Sequence, residues 1–309
     1  LVGSEMCIRD RMKKTFLISC LLVASFPVMA AYTGHVYVDK NKNGVFDKGE
    51  KPMSGVKVSD GLNVVETAAD GSFTLPGHAG ERFIFITTPS GYKTYNRHYH
   101  KIEDKQASYD FGLMPYDGGL GKDGSHKYIH IADTEIFNTK NHDEWVNNVR
   151  DYAANEHAAF IIHTGDICYE KGLKEHIKLM NTENMDCPVF YCIGNHDLVK
   201  GKYGEELFEN IYGPVYYSFD AGRVHYIVTP MAGGDHAPGY TREDVYLWLK
   251  NDLAHVKPGT PIMVFNHDLL TYDDAFVFKG DNGGSINLNE HNLKAWVYGH
   301  CLLYTSPSP

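Results

Sequence analysis

Five polar residues stand where apolar runs stop. Asp133 follows "KYIHIA", Asp166 follows "HAAFIIHTG", Asn195 follows "PVFYCIG", His267 follows "PIMVFN" and His300 follows "KAWVYG". This set of residue types has a chemistry. Two divalent ions a few ångström apart need a bridging carboxylate, an outer carboxylate, neutral imidazoles and an amide oxygen, and together they hold a hydroxide for in-line attack on phosphorus. Taken one at a time the residues are ordinary: a strand-ending Asp more often caps a helix than binds a metal. Order and placement make the set specific.

Convergence requires elements that bring separated residues to one edge. Each apolar run reads as a buried strand, with helical patterns such as "NHDEWVNNVRDYAANEH" and "TREDVYLWLKNDLAHV" between some of them. Strands alternating with helices predict an α/β domain over 128–300, in which polar residues at strand C-terminal ends meet in one crevice. His130, His163 and His225 fall inside strand runs and are expected to serve as core or supporting residues.

The ordered blocks "DTE" (133–135), "GD" (165–166), "GNHD" (194–197), "NHD" (266–268) and "GH" (299–300) resemble those of calcineurin-like metallophosphoesterases. The resemblance implies a four-layer αββα sandwich and carries roles over to matching positions. Asp133 would bind the first metal, Asp166 would bridge, and Asn195, His267 and His300 would hold the second. His196 would not be a ligand but would contact the phosphate and protonate or stabilise the leaving oxygen, with Asp197 orienting its imidazole. Two positions depart from the family pattern. Glu135 stands where a histidine is usual, so the first metal would either gain an oxygen ligand, favouring harder ions such as manganese or magnesium, or lose a ligand, and manganese, iron, zinc and magnesium all stay open. Leu302 stands where a second histidine would complete the first site.

Ahead of this domain, 31–115 shows short apolar segments ("GHVYVD", "SGVKVSD", "GSFTLP", "RFIFITTP") punctuated by Gly, Pro, Asn and Asp, the pattern of a small β-sandwich. Its "DKNKNGVFDKGE" fits an EF-hand-like loop without flanking helices. Asp39, Asn41, Asn43, the Val45 carbonyl, Asp47 and Glu50 would surround one calcium ion, with Gly44 at the sharp turn. The segment resembles B-type repeat and prealbumin-like modules of secreted surface proteins. A Gly-rich stretch, 116–127, reads as a linker to the second domain.

Composition narrows the partners. The 309 residues carry a formal charge of −10 with no extended Lys/Arg run, so no nucleic-acid groove is indicated. "MKKTFLISCLLVASFPVMA", 12–30, has the basic start, short apolar run and small-residue end of a signal peptide, which predicts a secreted or periplasmic protein; a lipoprotein reading through Cys20 is weaker. No other stretch is long enough for a transmembrane segment. Residues 301–309 and 3–10 can be encoded by one oligonucleotide and its reverse complement, resembling a sequencing-library adapter, so 1–11 and 301–309 are expected to be artefact. With them set aside the natural fragment would stop near His300, and the phosphoesterase domain would lack its closing strands. Cys168, Cys187 and Cys192 are then the remaining cysteines, expected as small buried residues.

The expectation is therefore a secreted two-metal phosphoesterase that hydrolyses phosphate mono- or diesters by attack of a metal-bound hydroxide. Two alternatives stay open. One is an inactive surface-binding protein, which Glu135 favours. The other is a purple-acid-type phosphatase with Tyr169, three residues after Asp166, as a ligand.

Overall fold

The computed structural model describes residues 31–94, 97–102, 106–136, 140–269 and 276–300. The signal peptide expected at 12–30 and the segments 1–11 and 301–309 lie outside the described residues.

The N-terminal part is all β: β1 (Tyr32–Val38), β2 (Lys51–Pro52), β3 (Lys57–Ser59), β4 (Val64–Glu66), β5 (Ser72–Leu75), β6 (Phe83–Ile86), β7 (Tyr92–Thr94), β8 (Tyr99–Lys101) and β9 (Phe111–Pro115). One sheet runs β2-β1-β9-β7 with β5 also on β1, the other β4-β3-β6-β8. Alternation explains the packing between them. Val36, Val58, Phe73, Leu75, Phe111 and Leu113 point inward to a small common core. Strand β6, "FIFI", is buried on both faces, as a continuous apolar run should be. Ile84 and Ile86 enter the sandwich core, while Phe83 and Phe85 turn the other way and join the larger core of the second part.

That second part contains β10 (Tyr128–Ile131), α1 (His142–Glu156), β11 (Phe160–His163), α2 (Tyr169–Leu179), α3 (Thr182–Met185), β12 (Val189–Tyr191), α4 (Glu206–Tyr212), β13 (Tyr217–Ala221), β14 (Val224–Val228), α5 (Arg242–Ala254), β15 (Ile262–Phe265), β16 (Val277–Lys279), β17 (Ser285–Asn287) and β18 (Leu293–Val297). Strands β10-β11-β12 form a parallel sheet. Strands β13-β14-β15-β18 form a second sheet, parallel except for the β13–β14 hairpin. Aromatic rings join the two face to face. Phe190 of β12 stacks on Phe219 of β13 at 3.8 Å, and Phe160 of β11 meets Phe219 and Tyr226 edge-on at 4.9 Å each. Offset and edge-on contacts of this kind add to the burial of large apolar area.

The fold is thus mixed α/β behind a β-rich module, as the strand grammar predicted. Helix α5 begins with a reciprocal cap: Thr241 Oγ1 accepts from Asp244 N–H, and Asp244 accepts from Thr241 N–H. No helix among the described residues is long and apolar enough to cross a membrane.

Candidate metal centre

All five strand-ending residues lie at one edge. Asp133 follows β10, Asp166 follows β11, Asn195 follows β12, His267 follows β15 and His300 follows β18. Because β10–β12 run parallel to one another and β14, β15 and β18 do likewise, the C-terminal ends of each sheet are gathered together, which brings these side chains to one crevice. Donor atoms of Asp166, His267 and His300 lie within 4.8 Å of one another. Asp133 sits beside them, its Oδ1 3.9 Å from His267 Nε2.

The turns that present these groups are strained. Asp133, Glu135, Asp166 and His300 all have positive φ and occupy the left-handed region. That conformation costs a non-glycine residue on the order of 1–3 kcal/mol. Backbone bonds hold them there. Asp133 N–H donates to Gly165 O, Glu135 N–H to Asp166 O, and His300 N–H to both Asp133 oxygens at 3.0 and 3.1 Å. Gly194 is required by contact: a Cβ there would stand 2.2 Å from Asp166 Oδ1.

Among the described residues, His267 Nε2 and Asn195 Oδ1 are buried without a hydrogen-bond partner; His267 Nε2 lies beside Asp133 and Asp166, and Asn195 sits between Gly194 and His196, both of which touch Asp166 Oδ1. His267 Nε2 is 3.1 Å from Asp166 Oδ2 but outside hydrogen-bond geometry. Leaving such atoms unpaired costs about 1–3 kcal/mol each, and both are atom types that could bind a cation. His267 Nδ1 is committed to the Thr164 carbonyl at 2.7 Å, which makes Nδ1 the donor and leaves the Nε2 lone pair for a metal. Thr164 is in turn held by His130, whose Nε2 lies 2.8 Å from its hydroxyl. His163 accepts from Gly165 N–H through Nδ1, so its Nε2–H points to Thr134 Oγ1 at 3.0 Å. These histidines support the ligand turns.

The charges answer one another. Burial pushes the Asp166 carboxyl up, but the adjacent His267 imidazole and the His196 N–H on Oδ1 outweigh it and hold the group below the ordinary carboxylate range. For His267 burial lowers the pKa, and Asp166 more than reverses this. Carboxylate, imidazoles and an amide oxygen form a donor set suited to a divalent transition ion.

The structure corrects one role. Asp197 does not orient His196. It is fully buried, and its oxygens accept from the backbone N–H groups of Asp166 (2.8 Å), Cys168 (2.9 Å) and Gly194 (3.0 Å), pinning two ligand turns together. Burial raises its pKa to about 6, with the N–H groups of Gly194 and Cys168 opposing. The imidazole of His196 instead meets Asp235, Nδ1 to Oδ2 at 2.8 Å. Asp235 was not legible as a partner, although the glycine pair in "AGGD" marks a loop that can approach closely. Glu135 hangs from Asp166 by its backbone, and its carboxylate is not in the donor cluster. Tyr169, 42% exposed, packs its ring beside His196 at 5.6 Å.

The "DKNKNGVFDKGE" loop is closed by its own side chains. Asp39 is buried and accepts from Lys42 and Gly44 N–H; the Asn41 and Asn43 amides donate to Asp47 Oδ2; Glu50 accepts from Lys40 and Asp47 N–H. The Val45 side chain points to solvent. Cys168, Cys187 and Cys192 are buried free thiols, as expected.

Residues 126–302, more than half of the chain, match the family described as calcineurin-like phosphoesterase. Residues 40–116 match the family described as the N terminal of calcineurin-like phosphoesterase. No curated protein matches the chain.

Proposed function

The chain belongs to the calcineurin-like phosphoesterase family, and from that premise we propose that it hydrolyses phosphate mono- or diesters at the centre formed by Asp133, Asp166, Asn195, His267 and His300, with two divalent ions. The observation that carries this reading is the pair of buried, unpartnered ligand atoms, His267 Nε2 and Asn195 Oδ1, beside the Asp166–His267–His300 cluster. Divalent ions there would polarise the phosphoryl oxygens and acidify water.

The chain's own residues do the rest. Asp166 would be one of the residues that hold the ions, and its Oδ1 accepts from His196 N–H, which ties ligand and acid together. His196 presents a protonated imidazole to the leaving oxygen. The phosphorus–oxygen bond to the leaving group breaks as hydroxide, formed from water that has given a proton to solvent, bonds to phosphorus; the His196 proton goes to the departing alkoxide, and His196 takes a proton back from solvent. Asp197 keeps the turns of Asp166 and Gly194 in register from beneath. Glu135 is exposed, its backbone N–H donates to Asp166 O, and its carboxylate lies outside the Asp166–His267–His300 donor cluster.

Loading with manganese, iron, zinc and magnesium in turn, with hydrolysis of a nitrophenyl phosphate as readout, tests the proposal and selects the metal. Iron-loaded protein also decides the purple-acid alternative. A violet band lost in Tyr169→Phe would make Tyr169 a ligand. We propose in addition that the "MKKTFLISCLLVASFPVMA" leader directs the protein outside the cytoplasm, and that the Asp39–Glu50 loop takes calcium.

A further inference from the structure

The loop 230–240, "PMAGGDHAPGY", is far from the metal ligands in sequence, yet it is fastened directly onto them. Asp235 N–H donates to Asn195 O at 3.0 Å. Gly234 lies so close that a Cβ would stand 2.5 Å from the same carbonyl. At the other end of the loop, Gly204 N–H donates to Ala237 O at 2.8 Å, and Gly239 N–H donates to both oxygens of Glu205 at 3.1 and 2.9 Å. Glu205 is fully buried and paired with Arg82 of the N-terminal sandwich at 2.9 Å. A loop held at three points in this way can deliver one side chain to a fixed place. That side chain is Asp235, with Oδ2 2.8 Å from His196 Nδ1.

We propose that Asp235 is the positioning residue for His196 in the reaction proposed above, on which this inference rests. By holding Nδ1 as the donor nitrogen, Asp235 fixes the ring so that Nε2 is the nitrogen turned toward substrate. Asp197, one residue from His196 in sequence, has both oxygens spent on backbone N–H groups and cannot serve. The Tyr169 ring lies 5.6 Å from the His196 ring and limits its movement.

A double-mutant cycle tests this on the full chain loaded with manganese. A correctly positioned acid contributes roughly 100-fold or more, and the contribution grows as the leaving group worsens. Asp235→Asn should therefore lower kcat on an alkyl phosphate by about 10-fold or more, and much less on a nitrophenyl phosphate. In a His196→Ala background the same substitution should change kcat by less than about 2-fold, because the group it acts through is gone. Gly234→Ala, which forces the loop off Asn195, should reproduce the leaving-group pattern. The tautomer of His196, read by nitrogen NMR on metal-free protein, is independent of activity. The ring should be held with Nδ1 protonated in the parent chain and lose that preference in Asp235→Asn. An equal loss in both backgrounds, or an unchanged tautomer, overturns the assignment. Absence of hydrolysis by the parent chain would instead count against the phosphoesterase reading, leaving the tautomer experiment to judge Asp235.

Discussion

Asn195→Ala separates a metal ligand from a structural amide, because the two roles predict opposite responses to metal. In the metal-free protein Asn195 Oδ1 is buried and unpaired, a burden of about 1–3 kcal/mol. Removing it leaves a small void, which costs about 1 kcal/mol at methyl size and more for the whole side chain. The two terms are of similar size, so the metal-free variant should lie within about 1 kcal/mol of the parent. Metal reverses the comparison. At a hundredfold excess over Kd a bound ion stabilises the parent by about 2.7 kcal/mol; a variant binding a hundredfold more weakly gains only about 0.4 kcal/mol. Urea denaturation with chelator and then with manganese measures both differences. The metal-induced gain should fall by about 2 kcal/mol in the variant. If Asn195→Ala destabilises the chelated protein as much as the loaded one, the amide holds the fold and not an ion.

Three further outcomes follow from groups outside the centre. Buried His225 lies between Asp252 (Nε2 to Oδ2, 2.8 Å) and Asp220 (Nδ1 to Oδ1, 2.6 Å), with Lys57 Nζ 3.4 Å away and Ser218 on Asp252. Burial works against the Asp252 carboxylate, but His225 outweighs it and lowers the pKa from an ordinary 3.8 to about 2. The stability this shift supplies is full above the ordinary carboxylate pKa and is lost as pH falls through the lowered one. Burial likewise opposes the His225 imidazolium and Asp252 reverses this, so its contribution is full below pH 6.5 and fades as pH rises through its raised pKa. Asp252→Asn should cost most between about pH 4 and 6.5, and urea titrations at about pH 5, 3 and 8.5 would show a pH-independent cost if the network is not charged. Arg82→Met should destabilise by about 3 kcal/mol, since it strands two buried carboxylates, Glu205 and Glu209, and Glu209 already sits near a pKa of about 7 through burial that Arg82 only partly offsets; a melting temperature equal to that of the parent would contradict this. Calcium should raise the melting temperature of the parent chain and leave Asp39→Ala unmoved, while equal responses would exclude the loop.

The ligand edge was legible because two physical rules reinforce each other. Continuous apolar runs identify buried parallel strands, and a polar residue just past such a run must fall at the crevice. Asp166 after "FIIHTG" and His267 after "IMVFN" are both of this kind. What stayed hidden depends on long-range contact. Asp197 looked like the partner of its sequence neighbour, yet the tight turn at Asn195–Asp197 sends its carboxylate beneath the loop, to N–H groups that sequence cannot locate. Asp235 is 39 residues from His196, and nothing local announces the pairing. Helix α2 went unread for a simpler reason: its buried face consists of Gly172, Leu173 and His176, too thin an apolar stripe to show a period. The β6 run, by contrast, carried more information than an alternating strand would. It was grouped with the other sandwich segments, although four consecutive apolar residues are the mark of a strand covered on both sides.

The central claim is that Asp166 and His196 belong to one metal-dependent phosphoesterase centre. Manganese-dependent hydrolysis of an alkyl phosphate by the parent chain, Asp166→Asn and His196→Ala measures this. Activity in the parent should be abolished by chelator and fall by at least about 100-fold in each variant. Hydrolysis that survives both substitutions would contradict it.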